Sequence, residues 1–427
     1  MAGHALRPRW GQPITGILSF FAFFVIAWIL WFIFSDPRGP IGSFPYPFVM
    51  YLAMMILVGL WQHMFLGDWP FQDLPQPLRG VVETIFNLAL VWFVIHIVFY
   101  RILGLGFNFF SQSNLEMLAA AGKTVMPAGA GKTLTLAAVQ AAKLGERAVV
   151  TFVLIGFFSY PVVTILFGKW PIRPSDLPQP QAGFAELGWA SMVTMFFYTM
   201  LIVPFWGLVY GKLFGASIGL AFPWWGAVGT VHVHWVFGWW EWAIIVLFMT
   251  PNVWRMKPWS VLILPQPWKG LLSLLATFIL AYILALICVN IAPLWLSMPD
   301  IIHHLPASDH GSPVRFLWYH AAEIAGFTLI PFLIWHHYFD DMAPGEDVDS
   351  WGNFTFRTVG VGVLMVLNYI FYYYLNFGHW GLGNHHMAGG IAERALHGES
   401  LIWNFWWIIP LLWNEWFFHK WPFYVHD

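Results

Sequence analysis

The chain has 427 residues, of which 59% are hydrophobic and only 9% are charged, and its formal net charge is −2. Soluble globular proteins carry about 25% charged residues, so this composition excludes a soluble protein, and the small net charge argues against a nucleic-acid partner. The single cysteine, Cys288, excludes disulfides, cysteine-ligated iron–sulfur clusters and cysteine-based zinc sites within the chain. We therefore predict a multi-pass integral membrane protein whose surroundings are the lipid bilayer.

Ten apolar segments are long enough to cross a membrane, which takes roughly 20 residues. Backbone polar groups must be satisfied internally in lipid, so these segments are predicted to be helices. The expected fold is all-α: one polytopic helical bundle over 1–427, with about ten transmembrane helices in repeated helix-hairpin units. The predicted spans are 14–35, 46–66, 81–104, 147–168, 188–214, 220–250, 270–297, 315–339, 355–377 and 400–418.

The distribution of Lys and Arg predicts the orientation of these spans. If the N-terminus is inside, most short inner segments carry Lys or Arg and most short outer loops do not, as the positive-inside rule requires. We expect a bacterial inner membrane with both termini cytoplasmic. The exception is the long outer loop 105–146, which is rich in Ala and Gly and is predicted to hold interfacial or re-entrant helices. Its two Gly-Lys-Thr triplets do not make a phosphate loop, because Met126 stands where the pattern needs glycine.

A repeated motif joins a Trp/Pro pair to Leu-Pro-Gln-Pro and a glycine. The copies are GDWPFQDLPQPLRG (67–80), GKWPIRPSDLPQPQAG (168–183), MKPWSVLILPQPWKG (256–270) and a partial HKWPFYVHD (419–427). Every copy follows an even-numbered span, so all four are predicted on one side of the membrane. Because proline ends a helix, the motif is typical of a connector between helix hairpins. The functional alternative is a duplicated, transporter-like core around a midplane binding site.

Ionisable residues at the inner ends of the spans form the first candidate site. Groups of this kind inside a membrane are costly and mark ion or proton pathways. They are expected to pair with one another or to form a proton path; the alternative is that they are interfacial residues reaching water. The candidates are His63, Glu83, Glu241, His336, His337 and Glu415.

Histidines at mid-depth and on the outer side form the second candidate site. His232 and His234 lie near mid-depth, but they differ by about 200° around a helix and cannot both face one ligand. The loops 298–314 and 378–399 are rich in histidine, and a His/carboxylate set without cysteine suits copper or iron, or a haem. The candidate metal ligands are His232, His234, His303, His304, His310, His320, Glu323, His385 and His386. His96 is a further candidate for a haem ligand.

The stretch HWVFGWWEWAI (234–244) is similar to the sixth-helix motif of nitric oxide reductases, in which two glutamates flank a Gly and a Trp. Phe237 stands where that motif has its first glutamate, and Val233 stands where it has its histidine. No ligand role is therefore assigned from this resemblance.

Three functions remain open from the sequence. The first is a His-rich membrane metalloprotein, a redox enzyme or an electron-transfer or assembly subunit of a membrane complex, with copper, iron or haem and with other membrane or outer-side subunits as partners. The second is a transporter or channel built from repeated hairpins around a midplane His/Glu site. The third is a structural scaffold subunit.

Overall fold

The computed structural model describes residues 6–35, 39–41, 48–103, 149–150, 152–172, 177–202, 234–305, 313–344, 347–373 and 399–426. These ranges are almost entirely helical. Their two short strands, β1 (Leu6–Pro8) and β2 (Tyr424–His426), pair antiparallel with each other.

A described helix overlaps each of the ten predicted segments. These helices are α1 (Ile14–Phe34), α2 (Phe48–Leu60, continued by a π-helical turn, Trp61–Phe65), α3 (Leu78–Phe93, continued as a π-helix, Val94–Leu103), α4 (Phe152–Leu166), α5 (Gln181–Ile202), α6 (His234–Met249), α7 (Trp268–Ile291), α8 (Val314–Tyr338), α9 (Trp351–Tyr373) and α10 (Glu399–Trp416). Short helices occupy Lys257–Ser260, Ala292–Leu294 and Met298–His304. Among the described residues, five helices are long and apolar enough to cross a membrane: α1, α3, α7, α8 and α9. The chain is therefore that of a helical membrane protein.

The five even-numbered helices end in the same turn. In the first copy, the amide of Leu66 donates to the carbonyl of Trp61 and the amide of Asp68 donates to Gln62. Two consecutive residues with positive φ follow, and they end the helix. These pairs are Gly67–Asp68, Gly168–Lys169, Arg255–Met256, Asp340–Asp341 and His419–Lys420. Four of the turns coincide with the repeats predicted from the sequence. The fifth, after α8, lacks the Trp-Pro and Leu-Pro-Gln-Pro residues and is visible only in the backbone.

The odd-numbered helices begin by docking on these turns. The Gln76 side chain donates to the carbonyl of Phe417 at 2.8 Å, and that of Gln266 donates to Leu166 at 2.8 Å. In the same way, Gln12 donates to Tyr338 at 2.7 Å. These contacts bring the turns together at one end of the bundle, which we call the turn end.

The even-numbered helices form a closed inner ring. Helix α6 packs on α8, α8 on α10, and α10 on α2. The ring is completed by α4, whose Gly156 lies against Leu57 of α2 and whose Leu154 carbonyl accepts from the Trp240 indole of α6 at 3.2 Å. Each odd-numbered helix lies outside, against the even-numbered helix before it. The five hairpins thus share one packing pattern around the ring.

The terminal strands close the ring between the last hairpin and the first. Leu6 pairs with His426 and Pro8 pairs with Tyr424, directly after the turn that ends α10. Through this pairing, α1 begins beside the end of α10. In the other four hairpins a covalent connector joins the even-numbered helix to the odd-numbered helix at this place. Strands β1 and β2 therefore lie together at the turn end.

Candidate functional site

Asp68 is the centre of a charged network at the turn end. Its carboxylate accepts hydrogen bonds from the Arg79 guanidinium and from His63 Nδ1, the latter at 3.0 Å, and it lies 3.6 Å from His419 Nε2. Arg79 also donates to Glu83 at 3.0 Å. Two hairpins contribute to this group, α2 with α3 and the turn after α10, so contacts between distant parts of the chain assemble it.

The environment of Asp68 favours its charged form. Burial by itself raises the pKa of this carboxyl group. The hydrogen bonds from His419 and His63 and the charges of His63 and Arg79 outweigh burial and lower the pKa to about 2. Asp68 is therefore a fixed negative charge at neutral pH and not a group that exchanges protons there.

A second part of the network lies on the turns that follow α8 and α10. His337 Nδ1 is 3.3 Å from Glu415, and Lys420 Nζ is 3.4 Å from the other oxygen of the same carboxylate. His336 Nδ1 bonds to Asp341 at 2.9 Å, and the His336 and His337 ring centroids are 4.7 Å apart. The His63 ring stacks on Trp416, the residue after Glu415. Of the predicted inner-end residues, His63, Glu83, His336, His337 and Glu415 thus meet at this end.

The turn geometry explains how this network is placed. In four of the five turns, the second left-handed residue is followed by an odd-numbered helix that packs against the same even-numbered helix; after α10 the strand β2 follows instead. Asp68, Lys169, Asp341 and Lys420 all occupy this second position. Asp68, Arg79 and Lys420 are not among the site residues predicted from the sequence. The signal was present, because each repeat has a charged or long polar residue just before or within its Trp-Pro pair.

Glu241 lies apart from the turn-end network. It is eight residues before the end of α6 at Met249, which is about 12 Å of helix. Its side chain is 4% exposed, and its Oε1 has no hydrogen-bond partner among the described residues. Gly238, one turn earlier on the same face, lies against the Trp318 carbonyl of α8. Glu241 therefore faces the α6–α8 contact, opposite the small residues that follow Trp318.

Asn404 is a second buried polar side chain at similar depth. It lies on α10, is fully buried, and neither atom of its amide has a hydrogen-bond partner within the described ranges. Gly326 of α8 is its neighbour, 3.5 Å from the amide nitrogen to the position of an added Cβ. Unsatisfied polar groups of this kind are rare in protein interiors and indicate a bound water, ion or ligand.

His320 and Glu323 form a third group, on α8. His320 Nδ1 is 3.0 Å from Glu323 Oε2, and Nε2 is 2.8 Å from the Tyr369 hydroxyl of α9. Tyr373 and Ser400 each donate to Glu323 Oε1 at 2.6 Å. The predicted i, i+3 relation of these residues holds. In this arrangement both ring nitrogens of His320 are engaged, so neither is open to a metal ion.

The other predicted metal ligands cannot be compared with this group. His232, His310, His385 and His386 lie outside the described residues, as do the loop 105–146 and nearly all of the loop 378–399. Only the backbone of His234 and His304 is described, and His303 lies on the short helix Met298–His304. Where side chains are described, no three His, Cys, Asp or Glu side chains come together as a metal site. His96, the haem candidate on α3, bonds to the Tyr51 hydroxyl at 2.7 Å.

The chain matches no family model, no curated protein and no solved structure. The buried ionisable groups therefore carry the functional argument.

Proposed function

We propose that this protein moves protons across a membrane, with Glu241 as the group that binds the transported proton. The observation that carries this proposal is the isolation of Glu241, a buried carboxyl group inside an apolar helix whose Oε1 has no partner among the residues that the structure describes. An ionised carboxylate without a partner is very costly in such surroundings, so a proton or a cation must accompany it. Glu186, another buried carboxylate, differs because a cation lies beside it: Lys169 Nζ is 2.6 Å from its Oε2.

The helix contact around Glu241 supports this role. Gly238 brings α6 close to α8 at Trp318. One turn further along, Glu241 is opposite Ala321 and Ala322, whose short side chains leave room beside the carboxyl group. Asn404 supplies a second unsatisfied polar side chain on the far side of α8. Water entering between the helices would find partners at both places.

The turn-end network supplies the entrance. His63 and His337 are ionisable and partly accessible, and each lies beside a carboxylate, so these two histidines can collect protons from water at that end. About 12 Å of helix separates Glu241 from the end of α6. We propose that ordered water or a small shift of α6 against α8 bridges this distance.

The proposed topology has ten spans in a bacterial inner membrane, with the turn end on the cytoplasmic side. The termini meet at this end, together with a set of basic residues that the positive-inside rule favours there. These residues are Arg7, Arg9, Arg79, Lys169, Arg255, Lys257, Lys269 and Lys420.

Proton flux into vesicles tests the proposal. The purified protein is placed in liposomes with a pH-sensitive dye inside, and a potassium diffusion potential drives proton entry. We expect flux well above that of protein-free vesicles, and we expect Glu241→Gln to abolish it. Asp349→Asn, which removes an exposed carboxylate at the turn end, is the matched control and should retain full flux. Wild-type flux equal to that of empty vesicles, or unchanged flux in Glu241→Gln, would overturn the proposal.

A His-rich metalloprotein of a redox complex is the second candidate function. Two histidines on the helices favour it, because the partly buried His96 and the fully buried His320 each bond to a tyrosine. The described side chains do not fit a metal in their present arrangement, since His320 is doubly bonded, so no step is assigned to copper, iron or haem. Metal analysis and an optical spectrum of the purified protein test this function and its membrane partner subunits. A colourless, metal-free protein that conducts protons and purifies alone would reject both this function and the scaffold alternative.

A further inference from the structure

We propose that the connector after α6 is a membrane anchor, whose apolar side chains insert into lipid and whose lysines bind the headgroups of anionic phospholipids. This connector is the third copy of the repeated motif, residues 256–270, and it joins the inner helix α6 to the outer helix α7. It would tie the end of α6 to the surface of the bilayer, whether or not the protein moves protons.

The third connector exposes several apolar side chains close together. Ile263 is 95% exposed, and Val261 and Leu264 are 62% and 42% exposed. Trp268, the first residue of α7, is 62% exposed. Exposed apolar groups that are clustered in this way mark a surface that binds a membrane or another protein.

Two contacts fix the third connector on the bundle, one on either side of the exposed aliphatic residues. The Trp259 indole is buried and donates to the Thr250 hydroxyl, just after α6, at 3.0 Å. The Gln266 side chain donates to the Leu166 carbonyl at 2.8 Å. The segment 261–264 therefore projects from a fixed base, and its exposed side chains are held outside the bundle.

The other two full copies of the motif carry a charge where the third connector is most exposed. When the Leu-Pro-Gln-Pro residues are aligned, Ile263 corresponds to Asp73 in the first copy and to Asp176 in the second. Asp73 is exposed, as a carboxylate that meets water should be. Isoleucine at the same place of the third copy indicates different surroundings, in which an apolar side chain is favoured over a charged one.

The outer surface of α7 identifies lipid as the partner of this connector. Helix α7 is long and apolar enough to cross a membrane. Its exposed residues recur every three or four positions and so share one face, which includes Trp268, Leu271, Leu275 and Ile279. Tryptophan at the end of such a face is typical of the membrane–water interface. Leu264 lies four residues before Trp268, so the connector continues the lipid-facing surface at the level of the headgroups.

The charges of the third connector favour anionic phospholipids over neutral ones. It contains Lys257 and Lys269 and no acidic residue, whereas the first copy of the motif has two aspartates and one arginine. Asp349 is within electrostatic reach of Lys257, but its carboxylate accepts from Arg255 at 2.7 Å. Lysines at a membrane surface attract anionic lipids, and inserted apolar groups add to that attraction.

Site-directed spin labelling in liposomes measures the insertion directly. With Cys288→Ala as the background, a nitroxide is attached through Ile263→Cys or, as the matched control, through Asp73→Cys at the equivalent place of the first copy. Collision with oxygen reports lipid around the label, and collision with a water-soluble nickel chelate reports water. In vesicles that contain phosphatidylglycerol, we expect the oxygen-to-nickel collision ratio to be several-fold higher for the Ile263→Cys label than for the Asp73→Cys label.

Two results would overturn the anchor. One is an Ile263→Cys label as accessible to the nickel chelate as the Asp73→Cys label, which would place the connector in water. The other is a label shielded from both reagents, which would show that a second copy of the chain covers the connector. If Cys288→Ala does not fold, the native chain serves as the background, because the Cys288 thiol is buried and out of reach of the label.

The lipid composition tests the lysines. We expect the collision ratio of the Ile263→Cys label to fall several-fold when the vesicles contain phosphatidylcholine alone. With phosphatidylglycerol present, the double variant Lys257→Gln, Lys269→Gln should lower the ratio in the same way, and the Asp73→Cys label should respond to neither change. A ratio for the Ile263→Cys label that is unchanged in neutral vesicles or in the lysine variant would overturn the binding of anionic headgroups.

Discussion

Lys169 Nζ lies 2.6 Å from Glu186 Oε2 and joins the turn after α4 to the buried face of α5. The equivalent positions of the next connector hold Met256 and Ser273, and those of the following one hold Asp341 and Arg357. The first pair has its positive charge on the turn and its negative charge on the helix. The second pair is uncharged. The third pair has its negative charge on the turn and its positive charge on the helix. Only in the first of these three pairs do the two side chains form an ion pair, Lys169 with Glu186.

The uncharged pair predicts a rescue. Lys169→Met alone leaves Glu186 buried without its partner and should cost about 2 kcal/mol of stability, less than a fully buried pair because Lys169 is 32% exposed. The double variant Lys169→Met, Glu186→Ser, copied from the next connector, should recover most of that loss. Thermal denaturation in detergent measures both. A double variant less stable than the single one would show that the two positions are not coupled.

Asp68 predicts an acid-labile turn end. Its pKa is lowered to about 2 in the folded protein from an ordinary value of 3.8, so its contribution is present in full above that ordinary value. The contribution is lost as pH falls from about 4 to about 2, and it amounts to about 2 kcal/mol. Asp68→Asn should lower stability at neutral pH and flatten the pH dependence in this window. A parallel acid transition in wild type and variant would contradict the assignment. Asp349→Asn is the exposed control.

The strand pairing at the termini predicts that the chain can be circularly permuted. The permuted protein joins Asp427 to Met1 by a short flexible linker and opens the connector next to Ile263, which is 95% exposed. The break in the chain then moves from the junction of the terminal strands to another connector. We expect a folded protein with nearly the wild-type melting temperature. The control opens the chain at Ala325, inside the inner helix α8, and should not fold. Loss of folding in the first permutant would show that the strands do not replace a connector.

Gly80 predicts how closely the hairpins dock. A Cβ at this position would overlap the ring of Phe418 on the turn after α10. Gly80→Ala should therefore cost about 1–3 kcal/mol, the usual penalty for overpacking. Gly188→Ala on α5, where nothing lies within 4 Å, should cost nothing. Denaturation midpoints of the two variants give the comparison, and equal midpoints would mean that the contact is loose.

The hydropathy of a segment depends only on its own residues. The sequence by itself therefore determined that this is a membrane protein, where its helices approximately lie, and that one connector is repeated. Length and apolar composition predict a helix wherever about 20 residues lack charges. The Trp-Pro and Leu-Pro-Gln-Pro residues predict four turns, because proline restricts the backbone of its own neighbours in the chain.

Only the tertiary structure decided which helices touch. In lipid an outward face is as apolar as a packed one, so periodicity does not identify neighbours. The cyclic order of the hairpins, the fifth turn at Asp340–Asp341, and the convergence of Asp68 with His419 all depend on contacts between distant residues. The same holds for Glu241: the sequence grouped it with the inner-end residues, whereas its separation from them and the lack of a partner for its Oε1 among the described residues appear only in the packed helices.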